Sequence, residues 1–257
     1  MSDRSADRAP ADARAHVTRA LELLWHGRAP AGRGPRPGLT LDRIVEVAIE
    51  IADGDGPAAL SMRRIARELG VGTMTLYRYV PDKQVLLALV LDRVLAPAPG
   101  AGAPPDSWRE TLSSDAREGR ALYLRHPWLL EVNMARPVLG PGNVAGLERT
   151  MTGLADLPLS SRDKLDLVTA LDGFVVGAVR QQIFYERVSA ESGLDDEEFW
   201  GAQLPFMEPA MRSGDYPTMA ALDTDAFQGT WEGTFELGLS CFLDGVELHV
   251  ARLGRRR

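Results

Sequence analysis

The stretch from Ser61 to Lys83 holds five cationic side chains, Arg63, Arg64, Arg67, Arg78 and Lys83, against two acidic ones, Glu68 and Asp82. Interleaved with them are Thr73, Met74, Thr75 and Tyr77. Cationic groups bind phosphates and give salt-dependent affinity without reading sequence, which suits Arg63, Tyr77 and Lys83 as backbone clamps. A Thr hydroxyl can bond a base edge, Thr and Met can touch a thymine methyl, and the Arg78 guanidinium can fork onto a guanine or hold a phosphate. The chemistry on offer is contact with a polyanion.

Such side chains must be held at an angle that reaches a groove, and the flanking sequence provides for this. Thr40 caps a predicted helix whose inward stripe is Ile44, Val47, Ala48 and Ile51, stopped by Asp53-Gly-Asp-Gly-Pro57. Ser61 caps a short helix that buries Ile65, Ala66 and Leu69, and Gly70 supplies the left-handed residue that ends it. After Gly70-Val71-Gly72, a second short helix is predicted over Thr73–Val80, with Leu76 and Val80 inward. Short helix, tight glycine turn, short helix over 61–80 is a helix-turn-helix, whose second helix presents its N-terminal side chains to base edges. A merely packed corner with a solvated basic face would not need the caps, turn, local charge and outward polar residues to agree.

The whole-chain charge of -7 argues against nucleic acid until it is divided. Residues 1–95 carry 14 Lys+Arg against 12 Asp+Glu, and residues 96–257 carry 15 against 24. A polyanion would be met at the N-terminal end and repelled elsewhere. Arg outnumbers Lys 27 to 2, so Arg abundance alone says nothing and position carries the argument.

Proline-free runs with apolar residues at three- and four-residue spacing read as helices throughout, joined by Pro/Gly-rich loops such as 96–105. The fold class is all-α, with an extension over 1–38, a DNA-binding domain over 39–98 and a larger helical domain over 106–257. In the extension, Ala11 to His26 can form an amphipathic helix through Val17, Leu21, Leu24 and Trp25, followed by a basic tether with Arg28, Arg33 and Arg36. That tether reads equally as a minor-groove arm or as a solvated terminus. The uncharged stretches at 94–105 and 137–147 are broken by Pro and Gly, short of the ~20 apolar residues a membrane span needs. No secretory signal is legible, so the cytoplasm is the expected location. One Cys and four scattered His give no metal cluster, and neither a metal nor a cofactor is expected.

The run from Leu60 to Lys83, with its Arg-x-Ile-Ala-x-x-Leu-Gly-Val core, the Thr-Leu-Tyr that follows and Lys83 opening the next helix, resembles the DNA-binding segment of the tetracycline-repressor family of transcriptional regulators. The resemblance implies DNA contact by Arg63, Thr73, Met74, Thr75, Tyr77 and Lys83. Met62 and Met74 stand on DNA-facing positions where the tetracycline repressors carry more polar residues or proline, so the operator sequence does not transfer. Phe174-Val-Val-Gly-Ala-Val179 and Arg136-Pro137 resemble landmarks of the family's C-terminal domain. The resemblance implies dimerisation through two late helices, here 162–187 and 227–252, around a small-molecule pocket. Without it, an intrachain core would be the simpler reading of their apolar stripes.

Val132 and Gln181 stand where those repressors carry a metal-coordinating His and an acidic residue, which argues against metal-chelated tetracycline as effector. The expected pocket is bordered by His126, Trp128, Asn133, Arg136, Gln181, Gln182 and Tyr185, a mixture suited to a bulky, largely apolar compound with a few polar groups. Each also has an ordinary use: His126 at a helix end, Trp128 in a core, the Gln pair at a dimer seam. The reading is a homodimeric repressor of a palindromic operator released by a small molecule, and not an enzyme. Its rivals are an enzyme with an attached DNA-binding head, for which no phosphate loop, metal set or nucleophile motif speaks, and a helical interaction protein without ligand.

Overall fold

The computed structural model of the protein describes residues 8–27, 39–98, 102, 105–132, 134, 136–223 and 225–255, and among them no strand occurs. The chain divides into two compact units: Met1–Thr111 with Arg125–Asp156, and Leu112–Leu124 with Leu157–Arg257.

The first unit opens with α1, Arg8–His26. Helix α2, Leu41–Asp55, is capped as its sequence predicts: Thr40 Oγ1 accepts from Arg43 N, and Gly56 at φ +77° ends it. Helix α3, Met62–Glu68, starts at Ser61, whose Oγ accepts from Arg64 N at 3.2 Å. Gly70 at φ +64° makes the turn. Helix α4, Thr73–Tyr77, is three residues shorter than predicted, because the chain turns through Arg78 and Tyr79 before Val80. Helix α5, Lys83–Val94, takes Asp82 as its cap, with Oδ1 accepting from Val85 N at 2.9 Å. Ile44, Val47, Ala48, Ile51, Ile65, Leu76, Val80, Val85, Leu86 and Val90 are buried together as this unit's core. Each buried Val, Leu and Ile side chain among these contributes roughly 1.5–3 kcal/mol of hydrophobic stabilisation.

Two further ties complete this unit. Helix α1 packs on α5, burying Ala20 and half-burying His16, Leu23 and Leu24. Val17 and Trp25, predicted on its inward stripe, are about half exposed, because the helix is rotated toward its His16–Ala20–Leu24 face. After α6, Trp108–Arg125, and a 3₁₀ turn over Pro127–Glu131 comes α7, Pro141–Gly153, whose own N-cap is Gly140 and supplies no side chain. Its first amides are served instead by Asp92 of α5, a buried carboxylate that accepts from Gly142 N at 3.0 Å and from Asn143 N and Nδ2 at 2.9 Å. The approach is close enough that a Cβ at Gly142 would lie 2.2 Å from the Asp92 carbonyl oxygen.

In the second unit the body of α6 buries Leu112, Ala116 and Tyr123 alongside α8, Ser161–Ser192, and α12, Trp231–Gly254. Leu171, Val175 and Val179 of α8 and Phe235, Leu239, Leu243 and Val246 of α12 form its core. Phe174 stacks on Phe235 at 5.4 Å, and Gly238 admits the Phe174 ring, since a Cβ there would sit 2.7 Å from it. The short helices α9, Asp196–Gly201, α10, Leu204–Arg212, and α11, Pro217–Ala220, lie between α8 and α12. Helix α8 runs five residues beyond its predicted end to Gly193 at φ +68°, and α12 starts four residues later than predicted, where Thr230 caps it.

Candidate nucleic-acid interface

The geometry sorts the cationic residues of α3 by what they already hold. Arg64 turns back along its own unit, with Nη2 2.9 Å from Asp55 and Nε 3.1 Å from Glu68. Arg63 and Arg67 project into solvent. Leu76 is fully buried and fixes the rotation of α4, so Met74, 77% exposed, and Tyr77 stand outward, with Thr73 and Thr75 half-buried at its start. Arg78, just after α4, and Lys83, the first residue of α5, are exposed. Met62 is a correction to the predicted set: at 6% exposure it belongs to the core, because Ser61 caps α3 in a rotation that turns the next side chain inward. The outward set is therefore Arg63, Met74, Tyr77, Arg78 and Lys83, with Thr73 and Thr75 half-buried beside it.

The residues predicted for a ligand pocket are divided between the units. His126 and Trp128 lie in the first, where both bond one carboxylate of α2: Asp53 Oδ1 is 2.6 Å from His126 Nδ1 and accepts from Trp128 Nε1 at 2.7 Å. Trp128 is 3% exposed and also lines, with Ala52, Leu60, Lys83, Val90 and Glu131, a cavity of about 270 Å³. Arg136 is exposed, and Asn133 lies outside the described residues. Gln181, Gln182 and Tyr185 lie on α8 in the second unit. Gln181 is exposed; Gln182 accepts from Arg120 at 3.1 Å and donates to Glu186 at 2.9 Å. Tyr185 donates to Asp196 at 2.5 Å and meets the Trp231 ring edge-on at 5.4 Å.

Polar groups that spacing did not single out also emerge. Asp53 was legible only as a helix stop, since its partners lie 73 and 75 residues away. Tyr123 donates to Asp172 at 3.0 Å between α6 and α8. Burial, then the Asp172 charge, raises the Tyr123 hydroxyl above its ordinary range, and desolvation of the carboxyl beside Tyr123 raises Asp172, a residue otherwise exposed, against the lowering by that bond. Arg117 grips Glu236 through two bonds, at 2.8 and 2.6 Å, holding that carboxyl below its ordinary value.

Against known proteins, the family model described as bacterial regulatory proteins, tetR family, matches residues 44–90, and that of the tetracyclin repressor-like C-terminal domain matches residues 99–250. This chain belongs to the tetracycline-repressor family. Among this family's members, the transcriptional repressor DrrR1 of Streptomyces coeruleorubidus is 48% identical over 92% of this chain and 87% of its own. The class D tetracycline repressor of Escherichia coli is 28% identical over 84% of this chain and 92% of its own. The crystal structure of ActR from Streptomyces coelicolor in complex with actinorhodin matches with a TM-score of 0.62 and 30% identity, covering 84% of this chain and 99% of that one. The family match encloses α3, α4 and most of α5, while α1 falls outside both matched spans. Within the family, α8 is a helix of the C-terminal domain; by length and mean hydropathy it alone among the described residues would also pass for a membrane span.

Proposed function

We propose that the protein is a homodimeric, ligand-responsive transcriptional repressor that binds a palindromic operator and leaves it when a small molecule occupies the 106–257 domain. It acts in the cytoplasm and performs no catalysis. The observation that carries the DNA half is the outward set on α3, α4 and the start of α5, set apart from an Arg64 already committed to Asp55 and Glu68. Thr73, Met74, Thr75 and Arg78 read base edges, while Arg63, Tyr77 and Lys83 hold phosphates. Family membership and the 48% identity to a repressor support repression.

Dimerisation through α8 and α12 is supported by what those helices leave uncovered. Gly173 and Gly177, beside which a Cβ would meet nothing within 4 Å, share an α8 face with exposed Phe184 and Val188. Leu237 and Leu248 are likewise exposed on one face of α12. Two such faces per chain suit an intermolecular four-helix bundle. The two α4 helices then meet half-sites one DNA turn, about 34 Å, or a multiple of it, apart.

For the effector we propose a bulky, largely apolar compound bearing a few polar groups, of the kind actinorhodin represents for ActR. Gln181, Gln182 and Tyr185 of α8 are its proposed polar contacts, with Asn133 and Arg136 as the sequence alone suggests. His126 and Trp128 are proposed instead as ties to Asp53. The experiment is a gel shift on the intergenic DNA beside the protein's own gene, titrated with salt and then with a panel of aromatic compounds. Lys83→Ala should weaken binding to every sequence and lower the salt slope by about 1. Thr75→Ala should change base preference. Operator affinity unchanged in both would remove α4 as the reading helix.

A further inference from the structure

Helix α1 lies outside both spans that match the family models, yet it packs on α5 and bonds both the α5 cap and the segment that leads into α7. At the near end, His16 Nδ1 is 2.8 Å from Asp82 Oδ2, while the other oxygen of that carboxylate caps α5 one residue before Lys83. At the far end, Trp25 Nε1 donates to the Leu139 carbonyl at 3.1 Å. Leu139 precedes Gly140, which lies so near Asp92 that a Cβ there would meet its carboxylate at 2.5 Å. Nine residues of α1 between His16 and Trp25 span about 14 Å, and ten residues of α5 between Asp82 and Asp92 about 15 Å, at 1.5 Å per residue. The two helices therefore run side by side in the same direction, with matched anchor points. Between the anchors, Ala20 brings α1 close, since its buried side chain is only a methyl.

We infer that α1 is a strap that fixes α5 to the start of α7, with His16, Asp82 and Trp25 as positioning residues for the DNA contacts at Lys83 and on α4. Without the strap, α5 can tilt at its Asp92 junction, and each such tilt displaces Lys83, nine residues away along the helix. With both ends held, residues 41–94 and the start of α7 move as one body. In a dimer this narrows the range of half-site separations the two α4 helices reach. The inference rests on the dimeric DNA reading proposed above.

The test uses full-length protein and three variants: His16→Ala, Trp25→Phe, which keeps the ring and loses the donor, and the pair combined. Each is titrated by fluorescence anisotropy against the DNA that the wild-type protein selects from a random pool, and against the same DNA with one base pair added or removed between half-sites. The double variant should lose three- to tenfold in affinity at the selected spacing and less at the altered ones, so that spacing discrimination falls at least threefold. Its affinity for unrelated DNA should stay within twofold of wild type. Equal loss at all spacings, or no loss, would overturn the strap.

Hydrogen exchange on free protein supplies a second readout that needs no DNA. The amides of Val85, Gly142 and Asn143 should exchange at least fivefold faster in the double variant, and unchanged rates there would overturn the strap by themselves. Failure of wild-type protein to select any DNA would instead refute the DNA reading, leaving those amide rates to decide the strap.

Discussion

Replacing Asp53 by Ala removes one carboxylate that serves two donors, and the geometry sets what that costs. Trp128 is 3% exposed, so its indole N–H would be left buried without an acceptor, a penalty of about 1–3 kcal/mol. The His126 side chain is 13% exposed, so its Nδ1 bond to Asp53 is only partly replaceable by water. Together the loss should be about 2–4 kcal/mol in urea unfolding at fixed protein concentration. Asp53→Asn keeps an acceptor oxygen and should cost about half as much. A double-mutant cycle with Trp128→Phe isolates the indole bond: Asp53→Ala should cost about 1–2 kcal/mol less when the indole N–H is already gone. A change below about 0.5 kcal/mol for Asp53→Ala, or additivity in the cycle, would refute the claim that this carboxylate fastens the 126–131 segment to α2.

Three other outcomes are expected. Leu76→Ala, at a fully buried site that orients α4, should destabilise by about 2–5 kcal/mol in the same assay and lower sequence preference beyond its effect on non-specific binding. Gly238→Ala forces a methyl against the Phe174 ring and should lower stability by about 1–3 kcal/mol, read by a thermal melt at matched concentration. Asp172 titrates above its ordinary 3.8 in the folded protein, so the fold binds its proton more tightly than the unfolded chain does. Its contribution to stability therefore falls as pH rises from about 4 through the raised value, and Asp172→Asn, which still accepts from Tyr123, should lack that fall and be at least as stable at pH 7. Urea midpoints at pH 4 to 7 decide it, and a variant less stable than wild type at pH 7 would contradict the assignment of burial as the dominant cause.

What the sequence made legible was local. Thr40, Ser61 and Gly70 each act within four residues, so the caps and turn that frame α3 and α4 could be read directly, as could the inward Leu76 and Val80. The short α4 was overextended because Val80 continues the apolar period after the backbone has already turned. Met62 was misplaced because resemblance assigns a column to a face, whereas the rotation of α3 about its Ser61 cap assigns a side chain. The expected ligand residues fared differently for another reason. His126 and Trp128 look like pocket residues by type, but His126 Nδ1 and the Trp128 indole N–H both go to Asp53, and no spacing rule links positions that far apart. The same holds for Asp92, whose role lies wholly in amides fifty and fifty-one residues downstream.

That junction bears on how such a regulator can be recombined. A reading head spliced after residue 98 onto another effector domain would carry Asp92 away from the two amides it caps, and would deliver it to a chain with its own residues at the positions of Gly140 and Gly142. Any side chain there collides with the α5 carboxylate or its backbone oxygen. Viable chimeras should therefore be those whose recipient brings glycine at both positions, or whose crossover lies beyond Asn143. The boundary at which operator choice and effector choice can be exchanged as cassettes then lies inside α7, some forty-five residues past the end of the 39–98 DNA-binding domain as the sequence delimits it.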